Sequence, residues 1–241
     1  RFGTWRERSL DPELFRRLMR YGLPSGTQMF LEVFSFTFFV LMLGRLGDRA
    51  MATSNIVLSI ESLSFLPMIG MHIGNTTLVG QAVGRKRPED GVYATNSALH
   101  LVFVYMVFIA IAFTVFPGPF LALFKPDEIP DQKYATIVDS GIILLRFVAV
   151  YCFFDALNLV YSGALKGAGD TRFIMKAIGI LALTVMIIPT FLVVEILPLG
   201  LYTSWAILTL YISALGITFM LRYKNGAWKK MQVIEDSIDM K

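Results

Sequence analysis

Six long apolar runs, parted by short clusters of charge, decide what this chain can become. They cover about 23–44, 51–84, 98–116, 137–165, 173–194 and 201–223. At 1.5 Å per residue each run is long enough, as a helix, to cross roughly 30 Å of hydrocarbon. With 55% hydrophobic residues and a mean hydropathy of +0.61, the sequence predicts an all-α membrane protein of six transmembrane helices. Residues 1–22 read as an interfacial lead-in, 23–223 as the helical unit and 224–241 as a tail. The net charge of +4 is spread over loops between spans and forms no soluble basic segment, so nucleic acid is not an expected partner and the lipid bilayer is. Cys152 is the single cysteine, which excludes an internal disulfide and suits a packing role in an apolar run.

Charge placement sets the expected orientation. Six spans put both ends on one side, and the segments on that side hold 17 of the 22 lysines and arginines, against 4 on the other. By the positive-inside rule both ends lie in the cytoplasm, which makes this a multi-pass protein of the cell (inner) membrane. The remaining one, Arg146, falls within span four, near enough to its outer end for the side chain to snorkel outward.

Acids inside the spans are the strongest functional signal, because a carboxylate in hydrocarbon costs about 2.5–3.5 kcal/mol on insertion scales and so faces a bundle interior or a wet cavity. Ser25, Gln28, Glu32 and Ser35 share one face of span one, at steps of three, four and three. Tyr151, Asp155, Asn158 and Ser162 do the same in span four. Glu61, Ser64, His72 and Asn75 line one side of span two, and His72 there is read as a packing histidine. Glu32 lies 12 residues beyond Arg20, and Asp155 11 residues before Lys166. The two acids therefore share a level near mid-membrane. If spans one and four are neighbours, which periodicity does not show, they flank one wet pocket in which either carboxylate holds a proton or ligates Na⁺. Gln28, Ser35, Glu61, Asn158 and Ser162 are candidate cavity-lining residues. Gly167 is expected to end span four, with Asp170 or Thr171 capping span five.

The run Gly163-Ala164-Leu165-Lys166-Gly167-Ala168-Gly169-Asp170-Thr171-Arg172 resembles the G-x-L-(R/K)-G-x-G-D-T-R signature of MATE multidrug and toxic compound extrusion transporters. Leu78-Val79-Gly80-Gln81-Ala82-Val83-Gly84 is similar to the family's L-V-G-Q-x-x-G segment. Gly22-Leu23-Pro24 and Leu145-Arg146 add weaker matches. The resemblance implies one six-helix lobe of a twelve-helix transporter that exports organic, often cationic, compounds in exchange for H⁺ or Na⁺. It is closest in kind to NorM-like members, whose second lobe has a Glu in its first span and a Tyr-x-x-x-Asp in its fourth. Glu32, within Phe30-Leu31-Glu32-Val33, and Tyr151 with Asp155 fall on those positions and would bind the coupling cation. The basic Trp228-Lys229-Lys230 ending also favours the second lobe. The chain starts at Arg1 rather than Met and reads as a fragment; the resemblance implies as partner a missing N-terminal lobe of the same polypeptide, with a small organic molecule as substrate and no cofactor beyond the coupling ion.

Two other functions compete. A flippase for a lipid-linked precursor handles an anionic headgroup and wants cavity arginines, whereas these spans offer acids and Arg146. An intramembrane aspartyl protease is spelled by Gly167-Ala168-Gly169-Asp170, with Asp155 as second acid. Asp155 lies more than four helical turns deeper than Asp170, too far to share a proton. No enzyme is expected.

Overall fold

The computed structural model describes residues 12–125 and 131–231, all of them in helices or short connections. The first eleven residues, the loop at 126–130 and the tail from 232 fall outside the described residues, so half of the lead-in and most of the tail read above do too. The helices are α1 (Pro12–Arg45), α2 (Asp48–Gly84), α3 (Pro88–Val115), the short α4 (Pro117–Leu123), α5 (Asp131–Gly167), α6 (Thr171–Ile196) and α7 (Leu201–Lys224). All but α4 contain a segment long and apolar enough to cross a membrane. There is no break between lead-in and span one: α1 is continuous from Pro12 through Pro24 to Arg45.

The helix α5 is the axis. Half of its most apolar window is buried, against 22% for α1 and for α3. It packs against α2, α3 and α7, whereas α1 leans chiefly on α6. Lipid offers no hydrophobic drive to join helices, so close packing of small residues must do it. Gly163 and Gly167 on α5 meet His72, Thr76 and Gly80 on α2, and a Cβ on Gly167 would collide with the carbonyl oxygen of Thr76. On the opposite flank a Cβ on Gly216 of α7 would come within 2.5 Å of the Phe154 carbonyl oxygen. Trp205 of α7 is fully buried, meets Phe39 of α1 edge-on at 6.4 Å, and donates from Nε1 to Ser54 Oγ of α2 at 3.2 Å.

Helix α5 ends at Gly167, as the sequence predicts, but the rest of the α5–α6 turn differs from that reading. The Asp170 N–H donates to Leu165 and the Gly169 N–H to Lys166, a Schellman closure with Gly169 at φ +88° as its left-handed residue. The turn therefore belongs to Gly169, and Gly167 serves the contact with α2. Nor does Asp170 or Thr171 cap α6 with its side chain. The Asp170 carboxylate instead accepts from Arg222 Nε of α7 at 2.8 Å, and the Arg222 guanidinium lies over the Phe173 ring.

Pro189 interrupts α6. Its ring displaces the carbonyl one turn back and it has no N–H to donate, and the helix widens into π-turns over Ala182–Ile187 and Leu192–Ile196 on either side. Beyond α7 the chain turns back through the 3₁₀ segment Ala227–Lys230. Trp228 is buried there, stacked on Tyr223 at 5.0 Å and set against Gly91 at the start of α3, with Nε1 donating to the Tyr223 carbonyl.

Candidate functional site

The site forms where α2 and α5 run side by side. They are parallel, 37 residues each, because α3 returns the chain between them. Four cross-helix bonds fix their register. Arg49 donates to the Thr136 carbonyl and to Ser140 Oγ near one end. Farther along, His72 Nδ1–H donates to the Leu159 carbonyl at 2.8 Å, and Asn75 Nδ2–H to the Val160 carbonyl at 2.8 Å. The partners are 85 to 91 positions apart in sequence throughout. The same offset brings Glu61 opposite Tyr151.

Asp155 is 6% exposed and Tyr151 fully buried, one turn apart on α5. The Tyr151 hydroxyl has no hydrogen-bond partner; the Glu61 carboxylate is its polar neighbour, and Asp155 lies within electrostatic reach of both. Asn158 stands beside Asp155. Neither Asp155 nor Glu61 forms an ion pair with a lysine or arginine among the described residues. Two acids and a phenol without a fixed positive charge beside them are a group that can store a proton or a small cation.

Glu32 has different company. It is exposed, accepts from Gln28 Nε2 at 3.1 Å, and lies near Lys166 and the buried Tyr211 of α7. Because α1 leans chiefly on α6 and not on α5, the structure assembles Asp155 with Glu61 and leaves Glu32 on an open face. Gln28 and Ser35 are buried, and Ser35 Oγ donates to its own helix at Leu31. Ser162 Oγ donates to the Leu159 carbonyl at 3.4 Å. In the Glu61 stripe only Glu61 reaches the acid cluster: His72 and Asn75 clamp α2 to α5, and the Ser64 carbonyl accepts from the Tyr105 hydroxyl of α3. Arg146 is exposed, away from the cluster.

The partnership of Glu61 with Tyr151 escaped a reading based on depth, because depth was counted from terminal charges and register was unknown. Its trace in the sequence is the polar stripe of span two, where Glu61 stands as a cavity-lining candidate.

A sequence profile of the MatE family matches residues 24–192, more than two thirds of the chain. The chain belongs to the MatE family. Every site residue on α1, α2 and α5 falls inside the MatE match, while Tyr211 and Arg222 on α7 lie beyond it. A Thermotoga maritima protein described as a probable multidrug resistance protein NorM is 26% identical over 219 residues, 91% of this chain and 46% of its own length. A Brucella suis protein of the same description is 32% identical over 155 residues, 64% of this chain and 32% of its own. Among solved structures, a MOP superfamily transporter from Pyrococcus furiosus superposes with a TM-score of 0.81 at 21% identity, covering 94% of this chain and 50% of that one. A MATE protein crystallised in a bent conformation gives 0.80 at 21%, over 93% and 49%. This MatE chain thus spans about half the length of those structures, and less than half of the curated relatives it matches.

Proposed function

We propose that this chain is the second lobe of a secondary antiporter that exports organic, often cationic, compounds across the cell (inner) membrane in exchange for H⁺ or Na⁺. Both ends of the segment would be cytoplasmic, and an N-terminal lobe would complete the cavity. The observation that carries this reading is the group Glu61, Tyr151 and Asp155, which holds acids at membrane depth with no paired base among the described residues. Coupling needs no covalent step. A cation must bind the two access states unequally, and a carboxylate that gains H⁺ or Na⁺ in one state and loses it in the other supplies the difference, about 1.4 kcal/mol for each tenfold ratio in affinity. Glu32 on the open face would meet the other lobe or the substrate, and Asp155 with Glu61 and Tyr151 would hold the ion.

Family resemblance, the description of the curated relatives as probable multidrug resistance proteins, and the excess of acids over arginines in the spans all support efflux over lipid-precursor flipping. The protease reading loses its second acid, since Asp170 is committed to Arg222 and Asp155 lies roughly 18 Å of helix rise before the end of α5. The test is dye efflux by the full-length protein, driven by an imposed Na⁺ or H⁺ gradient. Asp155→Asn and Glu32→Gln are expected to abolish gradient-driven efflux at unchanged expression, and Glu61→Gln to lower it. Wild-type rates in both Asp155→Asn and Glu32→Gln would refute the assignment.

A further inference from the structure

At the basic end of the spans, a cavity of about 260 Å³ opens between α1 and the start of α6. Its walls include Arg20 and Tyr21 from α1 and Asp170, Thr171 and Arg172 from the turn into α6. Three separate features make it unusual.

The helix start is uncapped. Asp170, which stands at the cap position, makes no side-chain bond to the first turn of α6 and has turned its carboxylate to Arg222. The first N–H groups of α6 and the positive end of its dipole are thus left to whatever enters the cavity. Cations gather at that positive end. Arg20 and Arg172 both line the cavity and are exposed, an arrangement that repels itself unless an anion lies between them. The acid in the wall does not neutralise them, because Asp170 is already paired. Finally, Thr171 is only 4% exposed, lines the same cavity, and its hydroxyl has no hydrogen-bond partner. A buried hydroxyl without a partner is destabilising, and an acceptor oxygen in the cavity would satisfy it.

We propose that this cavity binds a phosphate group, held by the α6 N-terminus, the Thr171 hydroxyl and the guanidinium groups of Arg20 and Arg172. Backbone N–H groups and arginine forks are matched to the several acceptor oxygens of phosphate better than to the two of a carboxylate. The source is the headgroup of an anionic lipid in the adjoining leaflet or free phosphate in solution, and the two are separable. The site is independent of the ion and substrate chemistry assigned above, so its failure would leave that assignment intact.

The test is arginine footprinting of the delipidated full-length protein with phenylglyoxal, read by peptide mass spectrometry. One arm adds nanodiscs of phosphatidylcholine with about one third phosphatidylglycerol, against pure phosphatidylcholine. The other adds sodium phosphate, against sodium chloride of equal ionic strength. Protection of Arg20 and Arg172, with Arg85 in another basic loop still modified, is the expected result. Protection by phosphatidylglycerol alone names the lipid, and by inorganic phosphate in its own arm the free ion. Retained phosphatidylglycerol, counted after extraction, should fall about fivefold for each of Arg20→Gln and Arg172→Gln and stay unchanged in Arg85→Gln. The footprint uses wild-type protein and so stands even if a variant does not fold. Equal protection of all three arginines, protection of none, or protection before any addition would overturn the proposal.

Discussion

Gly167 shows how much one hydrogen atom can decide. Its missing side chain lets the backbones of α5 and α2 touch at Thr76 and Gly80, so Gly167→Ala should wedge the helices apart and cost about 1–3 kcal/mol. Gly84 has nothing within 4 Å of its Cβ position, so Gly84→Ala should be neutral or slightly stabilising. Apparent melting of the full-length protein in detergent, compared for the two variants, checks the contrast. Asp170 offers a second discrimination. Were it a helix cap, Asp170→Ser would preserve stability. As the partner of Arg222 it should instead lose about 1–3 kcal/mol in Asp170→Ser, with the charge-swapped pair Asp170→Arg and Arg222→Asp recovering part of the loss. Both glycine and aspartate belong to a motif that was plain in the sequence as a turn. What each residue does there was not plain, because a cap and an ion pair both call for a short acid, and only the place of α7 in space chooses between them.

The elements show the same division between what is local and what is not. Existence and approximate extent of the six spans follow from apolar length, a property of each segment alone. Neighbours do not. The level shared by Glu32 and Asp155 was measured along two separate helices, and the packing that put α6 beside α1 and Glu61 beside Tyr151 depends on crossings that periodicity leaves free. Interruptions within a span were likewise invisible: the apolar run across Pro189 reads as uninterrupted, yet α6 carries π-turns on both sides of it. Pro189→Ala restores an N–H and removes the ring clash, so α6 should tighten. Amide exchange across 183–193 of the full-length protein is expected to slow, and exchange in α7 to stay as it was; faster or unchanged exchange in α6 would show that the widened turns have another cause.

Across the whole molecule, orientation remains the property most directly open to experiment. By the positive-inside rule, seventeen basic residues against four would place the α2–α3 loop inside the cell and the α6–α7 turn outside. In the full-length protein on a Cys152→Ser background, an impermeant thiol reagent applied to intact cells should label Leu199→Cys and spare Arg85→Cys until the membrane is opened. The stack of Tyr161, Tyr223 and Trp228 spans α5, the end of α7 and the turn beyond it, while Lys229 Nζ reaches Glu89 Oε1 of α3 at 3.4 Å. The last helix is thereby fastened to the start of the third by residues that lie past the membrane. A fusion partner joined directly after Lys224 would remove that fastening, whereas one joined after Met231 would keep it, so the useful boundary for tagging this chain is set by an indole ring and not by the end of the hydrophobic span.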